Sequence, residues 1–208
     1  MYSALSNKDL LFQISENTDK KAFGELFQRY HEKLVSFALY YLPIYEEAED
    51  VVSDLFVNLL KKHVQLKNIE NFDGYVYFSV KNLCLNRIKR NNNKPSLFTI
   101  SSEMDHLSTN ECSQPLNQLL NKELREFYFA LIENLPSKRK LVFKLIKEDN
   151  FKIPEVAKLL EITDKTVKKH LELAVKDLRL GIQGYLEIKG KHGKAMIEKN
   201  QIEKALAY

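Results

Sequence analysis

The chain contains no tryptophan, two cysteines, and only six glycines and five prolines in 208 residues. Scarce glycine and proline argue against turn-rich sheets, because each hairpin reversal needs residues of unusual or fixed φ; an all-α fold is expected. Cys84 and Cys112 form no CxxC pair and sit in different contexts, which excludes a disulfide scaffold or zinc knuckle and leaves two ordinary reduced thiols. Long apolar runs are missing as well. The longest stretch, VSFALYYLP from Val35, is interrupted by Ser36 and is too short to span a bilayer. The opening MYSALSNKDLLFQI has no basic leader followed by an apolar core, so the expectation is a cytoplasmic protein without membrane insertion. No P-loop, GxGxxG, HExxH or triad-like constellation is present, so no enzyme, cofactor or metal site is expected.

What the chain does have is charge, unevenly placed. Its formal net charge is only +4. Basic residues nevertheless outnumber acidic ones in 61–94 and 136–180, whereas 1–60 and 95–135 are acidic. Nucleic acid attracts the former blocks and is repelled by the latter, which points to two DNA-facing patches and an acidic surface meant for a different partner.

Apolar residues recur at helical spacing over most of the sequence. Ser6 or Asn7 can cap a helix carrying Leu10, Leu11 and Ile14. The run from Lys20 to Leu42 places Phe23, Leu26, Phe27, Tyr30, Leu34, Phe37 and Ala38 on one face, and Pro43 stops it. EEAEDVVSDLFVNLLKK repeats the pattern with Ala48, Val51, Val52, Leu55, Phe56, Leu59 and Leu60. A polar connection, HVQLKNIENFDG, leads to an amphipathic helix, YVYFSVKNLCLNRIKR, that ends in basic residues. Residues 91–117 lose all periodicity and are rich in Asn, Ser, Thr and Pro, which reads as a linker. The expected organisation is therefore two small helical domains, 5–90 and 118–185, joined by a flexible linker, with a basic tail over 186–208.

The second domain carries the sharper motif. In IPEVAKLLEITDKTVKKHLELAVKDLR, Pro154 fits the first helical position of a short helix whose inward face is Val156, Leu159 and Leu160, and Ala157 lets a second helix come close. Ile162 plugs the corner, Thr163 caps the following helix, and Val167, Leu171, Ala174 and Leu178 face inward. Lys165, Lys168, Lys169, Glu172, Lys176 and Arg179 remain outside, with the N-terminal members best placed to reach base edges in a major groove. Any solvated helix face can carry lysines; the bracing pattern and the cap favour a helix-turn-helix. Glu161 occupies the turn position where a left-handed backbone would cost a non-glycine residue about 1 kcal/mol. His170 lies between the core face and the basic face and reads as a packing or phosphate-contacting residue, having no partner at metal-ligand spacing.

In the first domain, Glu47, Asp50, Asp54 and Asn58 are spaced by three, four and four, which lines them along one helix edge. They form either an ordinary solvated face or a docking stripe for a basic partner. Residues 72–90 combine Phe72, Tyr75, Tyr77 and Phe78 with Lys81, Asn82, Asn86, Arg87, Lys89 and Arg90. Aromatic faces, amides and cations together are what unpaired DNA requires, although several of those rings must belong to the core. Asn82 and Asn86, four apart and in line with the basic residues, are expected to be exposed.

In order and spacing these segments resemble the extracytoplasmic-function group of the bacterial sigma-70 family over roughly residues 10–180. EEAEDVVSDLFVNLL is similar to the core-polymerase-binding helix of region 2 in that family, FDGYVYFSVKNLCLNRIKR to the part of region 2 that reads and melts the minus 10 element, and the segment from Leu135 to Arg179 to region 4, which reads the minus 35 element. The resemblance implies that Glu47, Asp50 and Asp54 dock on core RNA polymerase, that Tyr75, Asn82, Asn86 and Arg87 meet the unwound strand of promoter DNA, and that Lys165, Lys168, Lys169 and Glu172 meet the upstream duplex. It also implies a sigma factor restrained by an anti-sigma factor. Members often carry a tryptophan in the acidic or melting helix; here Tyr75, Tyr77 and Phe78 would have to serve. Two other readings remain: a stand-alone helix-turn-helix regulator gripping operator DNA, and an interaction module that uses the acidic stripe alone.

Overall fold

A computed structural model describes residues 2–92 and 122–190, with side chains over 2–90 and 125–185. Every regular element among the described residues is helical, and the helices fall into two compact units on either side of the undescribed stretch. The expected linker lies outside the described residues, apart from Asn91 and Asn92, which end a helix.

The first unit comprises a 3-10 turn (Tyr2–Ala4), α1 (Asn7–Asn17), α2 (Lys20–Ala38), α3 (Tyr45–Lys61), a second 3-10 helix (His63–Asn68) and α4 (Phe72–Asn92). Ser6 is the residue that caps α1, exchanging bonds with Asp9 in a capping box. Asp19 caps α2 by accepting from the amides of Lys21 and Ala22 at 2.8 and 3.2 Å. α2 packs against each of the other α-helices of the unit, burying Ala22, Leu26, Leu34 and Ala38 completely. It ends four residues before Leu42: the amides of Tyr40 and Tyr41 turn to carbonyls three residues back, and Pro43 bars helical backbone at the residue before it. α4 contributes Val76, Tyr77, Val80 and Cys84 to the core. Burial pushes the Cys84 thiol up to about 12, so it stays protonated at neutral pH.

The HVQLKNIENFDG connection is more ordered than its polarity suggests. Leu66, 2% exposed, plugs the core, and the Ser15 hydroxyl of α1 donates to the His63 carbonyl at 2.8 Å while accepting from the Lys67 amide at 3.0 Å. Arg29 of α2 performs a similar task at the other end. Its guanidinium donates to the carbonyls of Tyr2, Ser3 and Leu5 at 3.2, 3.0 and 2.9 Å, tying the segment before α1 down onto α2.

The second unit comprises α5 (Lys122–Glu133), α6 (Ser137–Lys147), α7 (Ile153–Leu160) and α8 (Asp164–Gly190). Ile132, Leu135, Phe143, Ala174, Leu178 and Ile182 form one buried cluster, with Tyr128, Leu131, Leu171, Val175 and Tyr185 packed around it. Gly181 lets the Leu131 side chain of α5 come close to α8, since a Cβ there would lie 2.6 Å from it. α8 runs five residues past the expected boundary at 185, at which Tyr185 stacks on Phe127 at 4.4 Å between centroids.

Thr18 ends α1 in the left-handed region, at φ 50 and ψ 40, with its side chain exposed. A β-branched residue is strained there by about 1–2 kcal/mol, and glycine is not. Thr18→Gly should therefore raise the stability of the first unit by about 1 kcal/mol in urea denaturation; an unchanged or lower midpoint would count against strain at that turn.

Candidate nucleic-acid and protein interfaces

α7 and α8 form the expected helix-turn-helix. Pro154 is the second residue of α7, where its missing N–H leaves no carbonyl unpaired. Val156, Ala157 and Leu159 face the core. The reversal falls on Glu161, which adopts left-handed backbone at φ 56 and ψ 42, while the Ile162 amide returns to the Ala157 carbonyl at 3.0 Å. The Thr163 hydroxyl accepts from the Thr166 amide at 3.2 Å and so opens α8 as a capped helix. Val167, Ala174 and Leu178 are fully buried, which leaves Lys165, Lys168, Lys169 and Glu172 exposed on the opposite arc together with Lys176 and Arg179. Arg139 of α6 bonds Asp177 of α8 at 2.5 Å, bracing α8 against α6.

His170 sits at the edge of that arc with its Nδ1 sealed from solvent and unpaired among the described residues. Burial, and then the charges of Lys138, Arg139 and Lys169, hold the imidazole below its ordinary value, so it is neutral at pH 7.

In the first unit the acidic stripe lies where the spacing puts it. Glu47 is half-buried, whereas Asp50, Asp54 and Asn58 are exposed on α3. The side opposite, Val52, Leu55, Phe56 and Leu59, is in the core. Leu60 is not: it is 44% exposed, as is Val57 at 47% three residues before it, while Val64, 58% exposed, lies past the end of α3 in the 3-10 helix.

α4 sorts its residues more sharply than composition does. Tyr75 is 40% exposed, and Asn82 and Asn86 are exposed as expected. Tyr77 cannot serve as a stacking platform, because it is 1% exposed and packs edge-on against Phe37 at 5.0 Å. Lys81 also leaves the outer basic face, at 6% exposure. Arg87 is half-buried and donates from Nη2 to Asp50 Oδ2 at 2.9 Å, so a residue of the aromatic and basic helix is joined to one of the acidic stripe.

Among the described residues there is no group of three His, Cys, Asp or Glu side chains able to hold a metal, and no helix is long and apolar enough to cross a membrane. An open groove of about 560 Å³ along α8 is lined by the apolar Leu171, Val175 and Leu180 and by the charged Lys147, Glu172, Lys176 and Arg179. The arrangement offers two charged faces and one acid-apolar edge for binding.

Comparison with known proteins gives these faces a context. Residues 26–94 match the family described as Sigma-70 region 2, and residues 128–178 match that described as Sigma-70, region 4. The ECF RNA polymerase sigma-E factor of Escherichia coli K12 is 25% identical over 180 residues, covering 82% of this chain and 91% of that protein, and its Salmonella typhimurium LT2 counterpart matches equally. The RNA polymerase sigma factor FliA of Escherichia coli K12 is 35% identical over 65 residues, 31% of this chain and 27% of that protein. A solved structure of CnrH in complex with the cytosolic domain of CnrY aligns with a TM-score of 0.44 at 17% identity, covering 86% of this chain and 97% of that chain.

The state of His170 leads to a pH test. A folded-state imidazole held below the unfolded value of about 6.5 disfavours the protonated native state, so stability should fall as pH drops below about 6.5 and be insensitive to this group above it. His170→Gln should flatten that acid-side fall in melting temperature between pH 7.5 and 5. An identical pH profile in the two proteins would show that the ring is not buried as a neutral group.

Proposed function

The chain belongs to the extracytoplasmic-function group of the sigma-70 family, and we propose that it divides the work of a sigma factor among three surfaces on its two units. As a sigma factor it binds core RNA polymerase and directs promoter-specific transcription initiation. The observation that carries the assignment is the order of a region 2 match and a region 4 match along one chain.

In this reading residues 5–90 bind polymerase and open the minus 10 element, 91–117 tether them to 118–185, which read the minus 35 element, and 186–208 form a basic tail. Glu47, Asp50 and Asp54 on α3 meet a basic surface of polymerase, with the exposed apolar Val57 and Leu60 on the same helix. Tyr75 supplies a ring face, Asn82 and Asn86 supply amides to unpaired bases, and Arg87 supplies charge to the backbone. Lys165, Lys168, Lys169 and Glu172 enter the major groove, where lysines reach guanine or phosphate and a carboxylate can accept from cytosine. The protein acts in the cytoplasm without catalytic chemistry of its own. An anti-sigma factor belongs to the proposal by resemblance to the family.

Purified core polymerase, transcribing from a cognate promoter with and without the chain, tests this directly. The sigma reading expects initiation that depends on both proteins and weak binding of the free chain to duplex DNA. A stand-alone operator-binding regulator would instead grip duplex DNA alone and add nothing to initiation.

Asp54→Lys reverses charge at an exposed position and should abolish core binding with helicity unchanged. Normal core binding by that variant would remove the stripe from the polymerase interface. Replacing Lys168 and Lys169 together with alanine should weaken upstream promoter binding and flatten its salt dependence, the log–log slope falling by about 0.9 for each phosphate no longer neutralised. An unchanged slope would take both lysines off the DNA surface.

A further inference from the structure

The acidic stripe and the DNA-facing helix are separate in the proposed scheme, yet one bond joins them. Asp50 of α3 and Arg87 of α4 meet through a single Nη2–Oδ2 contact of 2.9 Å. The Asp50 side chain is 66% exposed and that of Arg87 32%, so both ends can be reached from solvent. A one-point pair of this kind is easily exchanged: a cation approaching from outside competes for the carboxylate, and a phosphate competes for the guanidinium. The carboxylate also repels a phosphate drawing near Arg87, because like charges a few ångströms apart interact unfavourably even when screened.

We propose that the Asp50–Arg87 pair is a reciprocal clasp between the two binding faces: a polymerase cation that takes the Asp50 carboxylate releases Arg87 for the DNA backbone, and DNA that takes Arg87 releases Asp50 for polymerase. The inference rests on the assignment of α3 to polymerase and α4 to unpaired DNA. Its thermodynamic content is linkage: if one ligand relieves the pair, the other gains affinity by the same factor, in both directions. The size is bounded by what an exposed pair is worth, about two- to fivefold in affinity. That is small beside the affinity of either interface, and it acts only in the free chain, where the pair is closed. Asp50 thereby has two tasks, a docking contact when polymerase is bound and a restraint on Arg87 when it is not.

The test uses the full chain, a fluorescein-labelled single-stranded 20-mer read by anisotropy at low salt without polymerase, and purified core polymerase in a second titration. Asp50→Asn should tighten oligonucleotide binding about two- to fivefold. Glu46→Gln removes the same charge one turn earlier on the exposed side of α3, where no pair is present among the described residues, and should tighten binding less. In an Arg87→Gln background, which itself binds the oligonucleotide more weakly, adding Asp50→Asn should have no further effect. Arg87→Gln alone should tighten the complex with core polymerase by about the factor that Asp50→Asn gains on DNA.

Equal gains from Asp50→Asn and Glu46→Gln, or a gain from Asp50→Asn that persists without Arg87, would mean that only general charge is at work and would overturn the clasp. If Arg87→Gln leaves oligonucleotide binding unchanged, the assignment of α4 to DNA falls and the clasp falls with it. Helicity by circular dichroism, measured for every variant, separates these outcomes from misfolding.

Discussion

Every residue assigned to a binding face stands on a helix held from behind by a dry core, and the one-sided burial of those helices is the constraint on which the rest depends. Val52 on α3, Val76 and Val80 on α4, and Val167, Ala174 and Leu178 on α8 are each fully shielded from water. At about 3.6 residues per turn, fixing one side of a rod by such residues dictates which side chains point out, with no freedom left for rotation about the axis. Packing thus sets the direction of the charges, and the charges set what can bind. The branched residues at these positions add rigidity, because their χ1 angles are strongly restricted in a helix.

The two units meet this constraint with different devices. In the second, the left-handed Glu161 turns the chain between α7 and α8, and the Thr163 hydroxyl restarts it. Arg139 to Asp177, together with Lys140 and Lys144 to Glu133, then fasten α6 to its neighbours around the apolar cluster. In the first unit the fastenings are backbone-directed: Ser15 bonds the 3-10 helix after α3, and Arg29 bonds the carbonyls before α1. Such bonds reach backbone groups near helix ends, where the regular intrahelical ladder leaves donors and acceptors without partners.

Much of this was legible in the sequence, for a physical reason: periodicity reports which face is buried, and caps report where helices begin. The all-helical fold, the exposure of Asn82 and Asn86 and the capping Thr163 all follow from that kind of signal. Periodicity alone could not show that Leu66 fills the core from a polar connection, since a lone leucine carries no period. It also misplaced Leu60 and left Tyr77 open as a DNA-facing ring, because a residue at the margin of an apolar face is sorted by the neighbouring helix and not by its own. The pairing of Asp50 with Arg87 is of the same sort: 37 positions separate them, and only the packing angle of α3 on α4 brings them together. The roles of these residues on polymerase and DNA rest on family likeness and charge, not on contacts within the chain.

The grip of Arg29 on the opening residues carries a practical consequence. Because α2 touches each α-helix of its unit, a purification handle or fluorescent fusion spliced onto the amino end would be anchored at the hub of that bundle and not at a loose periphery. Strain in a short fusion joint would be felt by the axle around which the whole bundle is assembled.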